Sequence, residues 1–145
     1  MIANNALESA RALLLESNAT CVIMTDGEPI VSFERGVKPL LALIDEGRDV
    51  SGCAAADKVV GKAAAMLYIL LGVSEIYASV ISDLALKAFA NSNIRVTYGE
   101  RVPMIRNRTN TGFCPMEQAT RDIENPKDAL DAIRATLKAL AASAK

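Results

Sequence analysis

The sequence predicts an α/β fold, a mixed sheet flanked by helices, on three observations. Two short β-branched runs joined by Asp26-Gly27 read as an antiparallel hairpin. Downstream, short apolar runs alternate with helical segments, which implies β-α-β units and parallel strands. Between these parts, residues 54–71 are apolar nearly all round, which predicts a central, buried helix. The chain of 145 residues is read as one domain, 1–145.

The elements follow in order. Asn4 and Asn5 suit the cap of a first helix, with Leu7, Ala10 and Leu14 at helical spacing and Asn18 at its exit. Thr20 to Thr25 and Glu28 to Phe33 form the hairpin. Val37 to Glu46 is a short helix, with Pro39 in its first turn and Gly47 at its end. The long helix is placed from Ala54 to Leu71, ending at Gly72. Glu75 to Ile81 and Ile94 to Tyr98 read as strands around a helix, Leu84 to Asn91, capped by Ser82-Asp83. Val102 to Arg106 is a candidate last strand. Cys114-Pro115-Met116-Glu117 opens a short helix, and Asn125-Pro126 caps a final one reaching about Ala142.

Composition narrows the chemistry. Histidine is absent, which removes His triads, His general bases and His-ligated zinc. A net charge of −1 lacks a basic nucleic-acid footprint. Three cysteines, Cys21, Cys53 and Cys114, are far apart, which argues against a disulfide framework or thiolate zinc site and for a reducing compartment. No basic region precedes an apolar run at the start, and no apolar run is long enough to span a bilayer. The expectation is a soluble, cytoplasmic protein with no cofactor and no metal.

Three segments could carry chemistry. Gly52 to Lys62 is placed at the entry to the central helix, where free N–H groups favour a thiolate or an anion. Here Cys53 is a candidate thiol, Asp57 and Lys58 are charged near a buried helix start, and Lys62 shares a face with Lys58. Gly61 inside a helix would cost about 1 kcal/mol, which implies a close approach by a strand or ligand. Arg106 to Glu117 gathers Asn107, Thr109 and Asn110 before a helix start at which Cys114 is a candidate nucleophile and Glu117 follows in the first turn. Arg35 lies at a strand-to-helix junction suited to an anion. Against these stand ordinary structural roles: Asp57 as a dipole partner, the lysines as solvated charge, Cys114 as a small apolar cap, Cys21 as core.

The string GCAAADKVVGKAAA with the downstream GFCPMEQ resembles a family known only as domain of unknown function 1893, placed in the cytidine-deaminase-like superfamily. The likeness spans about Leu7 to Leu137 and implies a three-layer α/β/α sandwich around a mixed sheet. In the zinc deaminases of that superfamily, His or Cys, Ala, Glu opens the central helix and Pro-Cys-x-x-Cys the next. The resemblance places the first on Cys53-Ala54-Ala55 and the second near Ile81 to Ala85, so one thiol remains and the proton-shuttling Glu is Ala55. Three protein ligands are needed for catalytic zinc, so these residues contradict zinc-dependent deamination. A second likeness, Asp57-Lys58-Val59-Val60-Gly61, is to a helix start in the accessory protein that sulfurates the molybdenum cofactor of formate dehydrogenase. It implies a pterin-like or nucleotide-like ligand at that helix start.

The resulting expectation is a non-zinc member of this fold that binds a small anionic or nucleotide-like ligand at the N-terminus of the central helix. Were it an enzyme, Lys58 would be the electrophilic stabiliser or amine nucleophile, Asp57 its orienter, and Cys53 or Cys114 the thiol. The alternative is a metabolite-sensing or structural interaction module without catalysis. The expected partners are a small-molecule ligand and a second copy in a homodimer, with no nucleic acid and no membrane.

Overall fold

In the computed structural model, residues 5–106, 112 and 114–143 are described. The expected contacts of Asn107, Thr109 and Asn110 lie outside them. The chain runs α1 (Asn5–Ser17), β1 (Cys21–Met24), β2 (Ile30–Ser32), α2 (Lys38–Glu46), β3 (Ala54–Val60), α3 (Lys62–Leu71), β4 (Glu75–Ser82), α4 (Asp83–Ala90), β5 (Arg95–Val102), α5 (Pro115–Thr120) and α6 (Pro126–Ser143). The sheet order is β2-β1-β3-β4-β5. Strand β1 is antiparallel to both neighbours, and β3, β4 and β5 run parallel.

Local chemistry sets most of the boundaries. The hairpin pairs Cys21 with Ser32 and Ile23 with Ile30. Asn18 ends α1 at a φ of 59°, a left-handed conformation that Asn tolerates better than most residues. Gly47 and Gly72 close α2 and α3 in the same region. The Ser82 hydroxyl accepts from the Ala85 N–H at 3.0 Å and starts α4. The Asn125 side chain accepts from the Lys127 N–H at 2.8 Å and starts α6.

The sheet carries helices on both faces, which makes three layers. On one side α1 lays Ala10 and Leu14 against Val22 and Ala56. On the other, α2 to α6 share one core with Cys21, Ile23, Ala55, Ile76 and Ala78 of the sheet. Helix α3 is at its centre, buried from Lys62 to Tyr68.

Residues 54–71 correct the sequence reading. They are not one helix but a strand, a turn at Gly61 and a shorter helix. The physical reason is burial on both faces: Ala55 points toward α3 and Ala56 toward α1, both wholly buried. Such a strand has no polar face, so no alternation marks it. The likenesses that put a helix start at Cys53 or at Asp57 therefore fall on the residue before β3 and on the strand itself. The segment expected as a last strand is also different: Val102 closes β5.

Pairing between the parallel strands skips one row, Lys58, Ser79 and Gly99. Around that row Asp57 and Val60, three residues apart, both face the α3 core. Strand β5 approaches β4 closely there, since a Cβ at Gly99 would lie 2.9 Å from the Ser79 carbonyl oxygen.

Because Ala56 is sealed between α1 and the sheet, Ala56→Leu should destabilise the protein by about 1–3 kcal/mol. Val59→Leu, three residues on and 46% exposed, should stay within about 0.5 kcal/mol. Urea unfolding of both variants measures the contrast.

Candidate functional site

The turn from β3 into α3 places Gly61 and Lys62 at the carboxyl end of the parallel strands, where open α/β sheets form their ligand crevices. Gly61 is extended and offers no side chain to cap α3. The cap comes from α5. One oxygen of Glu117 accepts from the Lys62 N–H, and the other accepts from the Ile105 N–H at 2.8 Å. The carboxylate is 1% exposed and sits at the positive end of the helix dipole. A Cβ at Gly61 would lie 2.9 Å from Glu117 Oε1, so the close approach that glycine implies is made by this carboxylate. Cys114 flanks it, with its N–H bonded to the Ile105 carbonyl at 2.8 Å.

The structure thus gathers Gly61, Lys62, Cys114 and Glu117 and separates the other candidates. Gly52 and Cys53 lie at the opposite end of β3, roughly 25 Å along the strand. There Gly52 donates to the Gly72 carbonyl. Burial, then the nearby Asp26 and Asp49 charges, push the Cys53 thiol up, the wrong direction for a thiolate nucleophile. Lys58 projects on the α1 side, where Nζ donates to Asn18 Oδ1 at 2.7 Å. Arg35 is exposed beyond β2.

Asp57 is not beside a helix start but inside the core. Tyr68 donates to its Oδ2 at 2.6 Å, and the Tyr68 hydroxyl lies 3.3 Å from Cys21 Sγ. Burial raises the Asp57 carboxyl from 3.8 to about 7, against the hydrogen bonds from Tyr68 and the Val59 and Lys58 N–H groups, which lower it. The same burial, with the Asp57 charge, raises both Cys21 and Tyr68.

Lys62 opens onto a pocket. Its Nζ donates to the Arg121 carbonyl oxygen at 2.8 Å, and the residue is 7% exposed. Burial lowers the pKa of the amine, opposed by Glu124 and Asp122. The pocket has a volume of ≈ 340 Å³ and lies between α3 and α4 under the α5–α6 connection. Met66, Ile69 and Leu84 line its apolar part, Lys87 and Arg121 add cations, and Asp122 and Glu124 add carboxylates, Asp122 lying 3.9 Å from Arg121. Sequence reading named Lys62 but missed Lys87 and Arg121, which are 25 and 59 positions away along the chain and carry no local signal.

A broader depression of ≈ 740 Å³ lies over Leu43, Leu70 and Leu130. Its rim charges come as neighbours, Arg48 beside Asp49 and Lys127 one turn from Asp131, and no buried charged side chain lines it. The smaller pocket has Lys62. Among the described residues no three His, Cys, Asp or Glu side chains group to hold a metal ion, and no helix is long and apolar enough to cross a membrane.

Comparison with known proteins adds the lineage. The family model for DUF1893 (TM1506), a domain of unknown function, matches residues 9–137. The crystal structure of a DUF1893 family protein (TM1506) from Thermotoga maritima superposes with a TM-score of 0.83 at 26% identity, over 90% of this chain and 89% of that one. A diaminohydroxyphosphoribosylaminopyrimidine deaminase/5-amino-6-(5-phosphoribosylamino)uracil reductase of the same organism gives a TM-score of 0.41 at 15% identity, over 67% of this chain and 36% of that one. No curated protein matches.

Two outcomes follow from these buried carboxyls. The folded pKa of Asp57 lies above its unfolded value, so its contribution to stability is full below pH 3.8 and is lost as pH rises through about 7. Wild-type protein should therefore lose about 2 kcal/mol between pH 5 and 8, and Asp57→Asn should remove most of that slope in urea titrations. Glu117→Ala should lower Tm and regain part of it in formate, which refills the cap, whereas formate should leave wild type unchanged.

Proposed function

The chain belongs to the DUF1893 family, and from that premise we propose that it binds a small anionic molecule in the α3–α4 pocket, with Lys62 at the floor and Lys87 and Arg121 at the rim. The observation that carries this reading is the burial of Lys62 within a pocket of ligand size. The Lys62 Nζ rests on a neutral carbonyl with no carboxylate in ion-pair range among the described residues, while Glu124 and Asp122 act on it from farther off.

The expected position of the ligand shifts accordingly. The first N–H of α3 is already bonded to Glu117, so the anion is proposed for the side-chain pocket beside that terminus. No aromatic side chain lines the pocket among the described residues, which favours a compact anion over a nucleotide held by base stacking. Lys58 and Cys53 have no part in this reading. Binding without turnover remains the second reading, favoured by the closed cap at the end of β3, where a catalytic crevice would otherwise open.

Thermal unfolding with orthophosphate, a sugar phosphate and an uncharged sugar tests the proposal. The charged compounds should raise Tm by a few degrees when present at about 100 times their Kd, and the uncharged one should not. The paired change Lys87→Ala with Arg121→Ala, both at exposed positions, should abolish the rise. A rise that survives the pair, or no rise with either anion, contradicts the proposal.

A further inference from the structure

Resting on that pocket reading, we propose that Lys62 is an amine nucleophile that forms an imine with a small anionic aldehyde or ketone. Three features of its surroundings support this. Lys62 is buried at the first position of α3 and yet lines the pocket. Its Nζ hydrogen bond goes to a neutral acceptor, the Arg121 carbonyl, and among the described residues it forms no ion pair. Burial, with the like charge of Lys87 in the same pocket, disfavours the ammonium form and outweighs Glu124, Asp122 and Glu117, which favour it.

A neutral amine fits these surroundings. One N–H stays on the Arg121 carbonyl, and the lone pair is left for the pocket. Desolvation of this kind is an established way to make a lysine nucleophilic. Lys58 offers the contrast: its Nζ binds Asn18 in an exposed setting.

The pocket also specifies the rest of the ligand. Lys87 and Arg121 suit a carboxylate or phosphate, and Met66, Ile69 and Leu84 suit a short apolar link. The Nζ lone pair adds to the carbonyl carbon while the C=O π pair moves to oxygen. The protons leaving nitrogen pass to that oxygen, which departs as water as the C=N bond forms. No oxidant or reductant takes part in this step.

Glyoxylate is the probe, with cyanoborohydride to reduce any imine and peptide mass mapping to locate it. Wild-type protein at pH 7.5 should be labelled at Lys62 at least about tenfold faster than at Lys58 or Lys127, and excess phosphate should slow that labelling. The selectivity expected is that of a desolvated amine over amines in exposed settings. Lys62→Arg, which keeps a donor for the Arg121 carbonyl, should lose the fast site and retain the slow ones. Labelling of Lys62 no faster than the exposed lysines overturns the imine. If phosphate still raises Tm in that case, the anion pocket stands without it; if neither is seen, both fall.

Discussion

Burial of β3 on both faces is the constraint from which the rest of the architecture follows. The strand lies between β1 and β4, with α1 on one side and α3 on the other. Only small side chains fit there, and Ala54, Ala55 and Ala56 supply them. The same burial fixes where the strand can end. Gly61 is the first residue that allows the chain to turn under Glu117, so α3 starts at Lys62 and the lysine is carried inside with the helix.

Polar groups brought inside by this arrangement are almost all matched. Asp57 has Tyr68 and backbone N–H groups, Glu117 has two N–H donors, and Ser82 caps α4. Thr120 donates to the Met116 carbonyl. Asp57 gains its partners at the cost of an elevated proton affinity, because hydrogen bonds compensate only part of the lost hydration. Lys62 differs in kind: it is a buried amine whose side-chain hydrogen bond goes to a neutral carbonyl. The larger depression over α2 and α6 has no buried charged side chain in its lining.

Much of the fold was legible because it is written in local chemistry. Asp26-Gly27, Gly47, Ser82 and Asn125 each announce a turn or a cap, and the structure uses each at that place. Strand β3 was not legible, since a run of alanines followed by Asp57 and Lys58 has the composition of a helix and, buried on both sides, has no polar face. Once that strand was read as helix, Cys53 stood at a helix start it does not occupy. Lys62 was named for sharing a helix face with Lys58, yet the two lie on different elements and opposite sides of the sheet. The pocket itself needed three dimensions, because α3, α4 and the α5–α6 connection meet there only after the β-α-β crossovers close.

The most direct test of the pocket is an NMR titration of uniformly ¹⁵N-labelled protein with orthophosphate, following every backbone amide. Saturable shifts should centre on Lys62, Met66, Leu84, Lys87 and Ala88, with Gly52, Cys53 and the α2–α6 depression unmoved. Shifts centred on that depression or on the Gly52 end of β3, or none that saturate, would contradict it.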